Sequence, residues 1–241
     1  MDSRDQLPVE HGFRMRGAGI SRLDVFSDVV FAFALALLAV SLTVPKSFQA
    51  VHESALALVI LAICFAMILG GWVSHYTFFR RYGLQDRFTL ILNSCLLFLI
   101  LFCVYPLKFV YSTILGYLFR NDFSAKFAAA VQVMGILALY ALGFAMVFVL
   151  VATLHWNAWR LRDSLALNGV ERLLTVSSIV DALGLSAIGL MACLASLIVP
   201  SSWTIYSAAL YFLVLPWKTL NALYFGRKAR TLRKLVAAPT L

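Results

Sequence analysis

The sequence predicts an all-α integral membrane protein with six transmembrane helices in a single domain, residues 1–241. Three observations predict this fold class. The chain is 62% hydrophobic, whereas soluble domains are about 45–50% apolar. Only 13% of its residues are charged, against about 25% in a soluble domain, which is too few to cover a soluble surface. The apolar residues also fall into six runs of about 20 residues or more, the length that an α-helix needs to cross a bilayer.

The six predicted spans follow one another with short connections. A polar, mixed-charge segment precedes the first span and no small-residue cleavage site follows it, so we expect no cleavable signal peptide. Pro216 falls inside the sixth span and is expected to kink it. The predicted boundaries are 26–44, 55–75, 88–112, 127–154, 173–199 and 203–224.

Basic residues gather at alternate ends of the predicted spans and account for most of the net charge of +9. They lie before the first span, between spans two and three, between spans four and five, and in the C-terminal tail. The positive-inside rule assigns these segments to the cytoplasm, so we expect a multi-pass cell-membrane protein with both termini cytoplasmic. Because the charges do not line a helix face, they do not indicate nucleic-acid binding.

Polar residues from the first three spans are predicted to lie at the same depth near the cytoplasmic face. Such groups are costly in a membrane, and a buried carboxylate needs a partner, for which Arg22 and His75 are available to Asp28. We therefore expect one hydrogen-bonded cluster joining these helices; the alternative is separate interfacial residues that contact headgroup water. The cluster comprises Arg22, Asp28, His75 and Asn93, with Ser27 next to Asp28 in the sequence and Trp72 one turn before His75.

Asp181 is predicted to lie within the fifth span, where the sequence offers no evident partner. Three environments remain open for it: a water-filled crevice, polar contacts with Ser177 and Ser178, or the inner interface. All four cysteines lie inside apolar runs without metal-ligand spacing, so no disulfide, metal site or cofactor is expected. These cysteines are Cys64, Cys95, Cys103 and Cys193.

Short motifs occur in the first three spans: R-x-x-x-F-S-D, then W-x-x-H, then an asparagine followed by Tyr-Pro. Their residues are Arg22, Phe26, Ser27 and Asp28, then Trp72 and His75, then Asn93 with Tyr105-Pro106. Together they resemble the signature of the transmembrane protein 175 family, the lysosomal and prokaryotic potassium channels. The resemblance covers roughly the first 110 residues by motif and the rest by span layout only.

The resemblance implies a passive, potassium-preferring channel rather than an enzyme, with potassium ions and lipid as its partners. Six-span subunits would assemble as a homotetramer whose first helices line a central pore, and the motif residues would form a structural network behind it. The family's pore positions carry over to Phe33 as the constriction, then Leu37 and Val40. Ala36 stands where many members have a threonine that is thought to help potassium selectivity.

An apolar constriction would discriminate ions by the cost of removing their water, so we expect modest selectivity for potassium over sodium. Helical spacing places Phe33, Leu37 and Val40 in one stripe; without the resemblance, that stripe is typical of lipid-facing or core packing.

Other functions remain as alternatives. A secondary transporter is typically built with paired broken helices, yet only Pro216 interrupts a predicted span. A proton or non-selective cation leak is a second alternative. A membrane-embedded enzyme would need a nucleophile or metal ligands beside an acid–base pair such as Asp28 and His75, and neither is evident.

Overall fold

A computed structural model of the protein describes residues 7–10, 12–17, 19–40, 48–120, 123–199 and 204–237. Six α-helices account for most of this part of the chain. They are α1 (Arg22–Val40), α2 (Phe48–Tyr82), α3 (Arg87–Arg120), α4 (Phe123–Arg160), α5 (Gly169–Ile198) and α6 (Val214–Ala237). A 3₁₀ helix, Thr204–Leu213, precedes α6. Two short antiparallel strands, β1 (Val9–Glu10) and β2 (Phe13–Arg14), precede α1.

Five described helices are long and apolar enough to cross a membrane, which confirms the predicted class of multi-span helical membrane protein. These spans are Arg22–Val40, Leu58–Tyr82, Arg87–Val104, Gly135–Arg160 and Gly169–Ile198. Helix α2 continues to Tyr82, past the predicted boundary at 75, because helical structure extends into the polar residues beyond the apolar run. The predicted end of the first span, at 44, and start of the sixth, at 203, lie outside the described residues.

The predicted sixth span coincides with the 3₁₀ helix and the first half of α6. The chain changes from 3₁₀ to α geometry between Leu213 and Val214. Pro216 therefore lies in the first turn of α6, where its missing N–H removes no helical hydrogen bond. The expected kink within one helix is thus replaced by a junction between two. The membrane crossing of this segment stays a prediction.

The helices pack in a continuous series. Helices α1, α2 and α3 pack against one another, α3 also packs on α4, and α4 packs along α5. Helix α5 in turn contacts the 3₁₀ helix and α6. One apolar core joins the first four helices around Phe31, Leu38 and Leu97. A second lies at the ends of α2 and α4 around Phe78, Tyr82 and Leu154.

An N-terminal strap, which we define as residues 8–10 and 12–17, crosses the second core. Phe13 is fully buried there, with its ring edge-on to Tyr82 at a centroid distance of 5.4 Å. The Gly17 amide donates a 3.0 Å hydrogen bond to the carbonyl of Arg80, at the end of α2. The sequence analysis did not predict this hairpin or its contact with the bundle.

The strap is fixed to the start of α5 by a fully buried carboxylate, Glu171. Arg14 Nε lies 3.1 Å from Glu171 Oε1, and Arg16 Nη2 lies 2.7 Å from Oε2. Asn168 caps α5 by accepting from the Glu171 amide at 2.8 Å, while the Asn168 amide donates to Glu171 Oε2 at 2.9 Å. Glu171 thus serves both as a helix capping box and as the anchor of the strap.

Candidate pore-lining helix and its polar network

Helix α1 has one buried face and one face that is exposed as far as the described residues go. The buried face consists of Ser27, Phe31, Ala34 and Leu38, which recur at the three- and four-residue spacing of a helix side. This face rests on α2 and α3. It includes the one polar residue, Ser27, around which the site is built.

A buried chain of hydrogen bonds joins α1, α2 and α3 through Ser27, His75 and Asn93. Asn93 Nδ2 donates to Ser27 Oγ at 3.0 Å, and Ser27 Oγ donates to the Leu23 carbonyl at 2.8 Å. His75 Nε2 lies 2.6 Å from Asn93 Oδ1, an acceptor, so this nitrogen carries the proton and donates. Because all three side chains are buried and bonded, the network fixes the rotation of α1 relative to its neighbours.

Asp28 takes part in a separate contact. Trp72 Nε1 donates a 2.7 Å hydrogen bond to Asp28 Oδ1. The expectation that Arg22 or His75 pairs with Asp28 is therefore wrong. His75 pairs with Asn93, and the exposed Arg22 makes no ion pair with Asp28 within the described chain. The predicted single cluster is resolved into two connections. The Trp72–Asp28 bond joins α2 directly to α1, and the other connection runs from Ser27 of α1 through Asn93 of α3 to α2.

Two motif residues lie outside these connections. Arg22 is the first residue of α1 and is exposed, and Phe26 is also exposed. Among the described residues, neither has a bond to the buried network. Their side chains are directed away from the bundle, on the surface available to lipid or to a neighbouring subunit.

The predicted pore residues occupy the exposed side of α1. Phe33 and Val40 are 55% and 82% exposed, and Ala36 is exposed as well. A rotation of about 100° per residue places these three within about 60° of one another around the helix axis. Leu37 lies at the edge of this surface, is partly buried, and packs against the first apolar core. The exposed stripe is thus centred on Phe33, Ala36 and Val40 rather than on Leu37.

Asp181 has a partner that the sequence analysis missed. Lys218 Nζ, on α6, lies 3.1 Å from Asp181 Oδ2, and Trp217 Nε1 donates to the Asp181 carbonyl at 3.1 Å. Lys218 is one of the basic residues that the sequence analysis grouped with the cytoplasmic C-terminal tail, although it falls within the predicted span 203–224. The pair could have been predicted because Asp181 and Lys218 are an acid and a base at matching depth in consecutive helices that run in opposite directions.

Asp86 caps the start of α3, a role that the sequence analysis did not predict. The Thr89 hydroxyl donates to Asp86 Oδ1 at 2.6 Å, and the Thr89 amide donates to Oδ2 at 3.2 Å. Partial burial opposes the charged form of the carboxyl, but these hydrogen bonds outweigh it and hold the pKa of Asp86 below its usual value. The ionised carboxylate orients the first turn of α3, one turn before the position from which Asn93 projects into the network.

The bundle of apolar helices and the network at the start of α1 define a multi-pass α-helical membrane protein. Residues 22–106, which include all three motifs, match the family model described as "Endosomal/lysosomal potassium channel TMEM175". A relative from Marivirga tractuosa, described as a potassium channel, is 36% identical over 233 residues, covering 91% of this chain and 93% of the relative. The chain belongs to the TMEM175 family, a family of channels and not of enzymes, as its motifs predicted.

Solved structures have the same fold. The crystal structure of a variant of the potassium channel MtTMEM175, bound to a nanobody–MBP fusion protein, is 35% identical with a TM-score of 0.75. It matches 93% of this chain and 100% of that chain. A protein from Chamaesiphon minutus, described as a homologue of the lysosomal potassium-selective channel TMEM175, is 20% identical with a TM-score of 0.56, over 83% and 96% of the two chains. This second likeness concerns the fold alone.

Proposed function

We propose that this TMEM175-family protein conducts potassium passively through a central pore lined by α1 in a homotetramer. In this arrangement Phe33 forms the constriction, and Ala36 and Val40 continue the pore wall. Leu37 lies at the side of the pore, where neighbouring copies of α1 meet. The protein resides in the cell membrane with both termini in the cytoplasm, since most basic residues lie at that end of the helices.

The observation that carries this proposal is the two-sidedness of α1. Its back is fixed to α2 and α3 by the hydrogen bonds of Ser27, Asn93 and His75. Its front, with Phe33, Ala36 and Val40, makes no comparable contact with the other described residues. A rigidly oriented helix with an open apolar front is suited to meet its own copies around an axis. Asp28, Trp72 and Arg22 then act in structure and assembly rather than as ion ligands.

The proposed selectivity follows from the side chains of the stripe. A ring of Phe33 side chains offers no carbonyl ligands, so an ion must lose part of its water to pass. Potassium holds its water less tightly than sodium and passes more readily. Ala36, the next residue of the exposed stripe after Phe33, has no hydroxyl group. We therefore expect the pore to prefer potassium without strongly excluding sodium.

Flux through purified protein in liposomes tests the proposal. Phe33→Ala should widen the constriction, raising potassium flux and reducing the preference over sodium. The matched control is Phe98→Ala, which truncates a phenylalanine of α3 that is also exposed and should leave both quantities unchanged. Unaltered flux in Phe33→Ala would exclude this residue as the constriction. A wild-type flux that saturates and requires a second substrate would instead indicate a transporter.

A further inference from the structure

A cleft of about 550 Å³ separates α2 from α4, α5 and α6, and α3 forms its back wall. It exists because α3 packs on both α2 and α4, whereas in the described chain α2 meets α4 and α5 mainly through its last turns, at Phe78 and Tyr82. The volume falls within the range of about 300–1,000 Å³ that is typical of small-molecule pockets. The cleft is distinct from the exposed face of α1.

Two glycines of α2 keep the cleft wide at its middle. Both Gly70 and Gly71 line it. A Cβ atom added at Gly70 would meet nothing within 4 Å, and one added at Gly71 would touch only the Phe31 ring, at 3.9 Å. Apolar side chains of α3 and α4, including Ile100, Val104 and Phe144, form the opposite surfaces. This part of the cleft suits an extended hydrocarbon chain.

The cleft closes at the end that carries Arg81. Beyond this residue, the hydroxyls of Tyr82 and Thr175 lie 2.8 Å apart and join α2 to α5. His155 and Ser178 line the cleft near this end as well. A molecule with an apolar tail would therefore place its polar group beside Arg81, within the last turn of α2.

Among the charged side chains that line the cleft in the described chain, Arg81 is the one without a partner of opposite charge; Asp181 has one, although its Oδ1 makes no hydrogen bond. Asp181 and Lys218 form an ion pair with an N–O distance of 3.1 Å. His75 is bonded to Asn93, and His155 Nδ1 lies 2.9 Å from the Val151 carbonyl. Within the described chain, Arg81 has no carboxylate partner, and its buried Nε has no hydrogen-bond partner. Its guanidinium carbon instead lies 5.3 Å from the centre of the Phe13 ring.

We propose that the cleft binds an anionic phospholipid of the surrounding bilayer, with the phosphate at Arg81 and one acyl chain along the apolar wall. A guanidinium binds phosphate through paired, charge-assisted hydrogen bonds, which would satisfy the unpaired Arg81. Basic pockets between transmembrane helices are a recurring site for acidic lipid headgroups. A cationic amphiphile would leave Arg81 unpaired and add a second positive charge beside it.

Native mass spectrometry of the detergent-purified full-length oligomer tests this site, with phosphatidylglycerol and phosphatidylcholine of identical acyl chains as probes. Wild-type protein should retain phosphatidylglycerol in preference to phosphatidylcholine. Gly70→Leu should fill the cleft and abolish retention, whereas Gly226→Leu, at a helical glycine of α6 that also has open space around it, should not. Retention depends on the cleft alone, so this result is independent of ion conduction.

A second pair of variants tests the headgroup. Arg81→Gln should reduce phosphatidylglycerol retention about tenfold, as expected for loss of a charged hydrogen-bond donor. Arg80→Gln removes the same charge from the adjacent residue, whose guanidinium pairs with Glu10 at 2.8 Å, and should retain the lipid. Equal retention of the two lipids by wild-type protein would overturn the proposal. Lipid retention by Gly70→Leu would also overturn it, as would an equal loss of retention in Arg80→Gln and Arg81→Gln. A further contrary result would be that oleate displaces the bound lipid and that the wild-type protein shows no preference for phosphatidylglycerol.

Discussion

Replacing Glu171 with glutamine should release the N-terminal strap from the bundle. The Glu171 side chain is 0% exposed, and it meets the side chains of Arg14 and Arg16, which are 24% and 11% exposed. It also accepts from the backbone amides of Arg14 and Asn168, both at 2.9 Å. Glutamine has the same shape, but it carries no charge and presents one NH₂ group to these donors.

The cost of this substitution can be worked out from the contacts. Removing one partner of a buried ion pair typically costs about 3–5 kcal/mol. The lower end, about 3 kcal/mol, applies here because both arginines keep carbonyl acceptors: Arg14 bonds to Ala166 at 2.8 Å and Arg16 to Leu165 at 2.8 Å. At about 1.4 kcal/mol per factor of ten, the strap should open roughly a hundredfold more often.

Hydrogen–deuterium exchange of the protein in lipid nanodiscs measures this opening through the backbone amides of residues 9, 10 and 12–17. The matched control is Glu10→Gln on the same strap. Glu10 is half exposed where it pairs with Arg80, so its loss should cost less than about 1 kcal/mol. If both variants changed strap exchange equally, or if Glu171→Gln left it unchanged, the assignment of Glu171 as the anchor would be refuted.

Two further predictions concern the network behind α1. Asn93→Leu leaves His75 and Ser27 without their partner in a buried site, which should lower the free energy of unfolding by about 1–3 kcal/mol. Thermal unfolding of the detergent-solubilised protein measures this loss. An unchanged unfolding midpoint would contradict the network's structural role. Asp28→Ala removes the acceptor of Trp72 and should reduce assembly, read by size-exclusion chromatography, while ion preference is maintained. Asp28→Asn keeps an oxygen acceptor and should behave more like the wild type; a variant that assembled normally but permeated differently would contradict the structural assignment of Asp28.

The fold class and the meeting of three helices at one depth followed from the sequence for simple reasons. Apolar runs of bilayer length identify spans, and the distribution of basic residues gives their direction, so residues at corresponding ends are placed at one level. This was sufficient to bring Ser27, His75 and Asn93 together. Depth alone does not give the rotation of each helix about its axis. The pairing of Asp28 with Trp72 rather than with His75 depends on that rotation.

Features that depend on long-range packing were not predictable in the same way. The strap binds Glu171 across 157 positions of sequence, and no local periodicity indicates such a contact. The short-range contact of Glu171, with Asn168, could have been predicted, because these two residues have the spacing of a capping box. Lys218 was assigned to the tail because it lies near a basic segment, whereas the packing of α6 on α5 brings it to Asp181.

The strap also limits how far the first helix can travel. It ends at Gly17, bonded to the end of α2, and α1 begins at Arg22. Five residue steps reach at most about 18 Å when fully extended. The entry of α1 is therefore tethered both to the end of α2 and, through Glu171, to the start of α5. A larger displacement of α1 would require the tether to detach or α5 to follow, so the peripheral helices and the proposed pore wall are mechanically linked within one subunit.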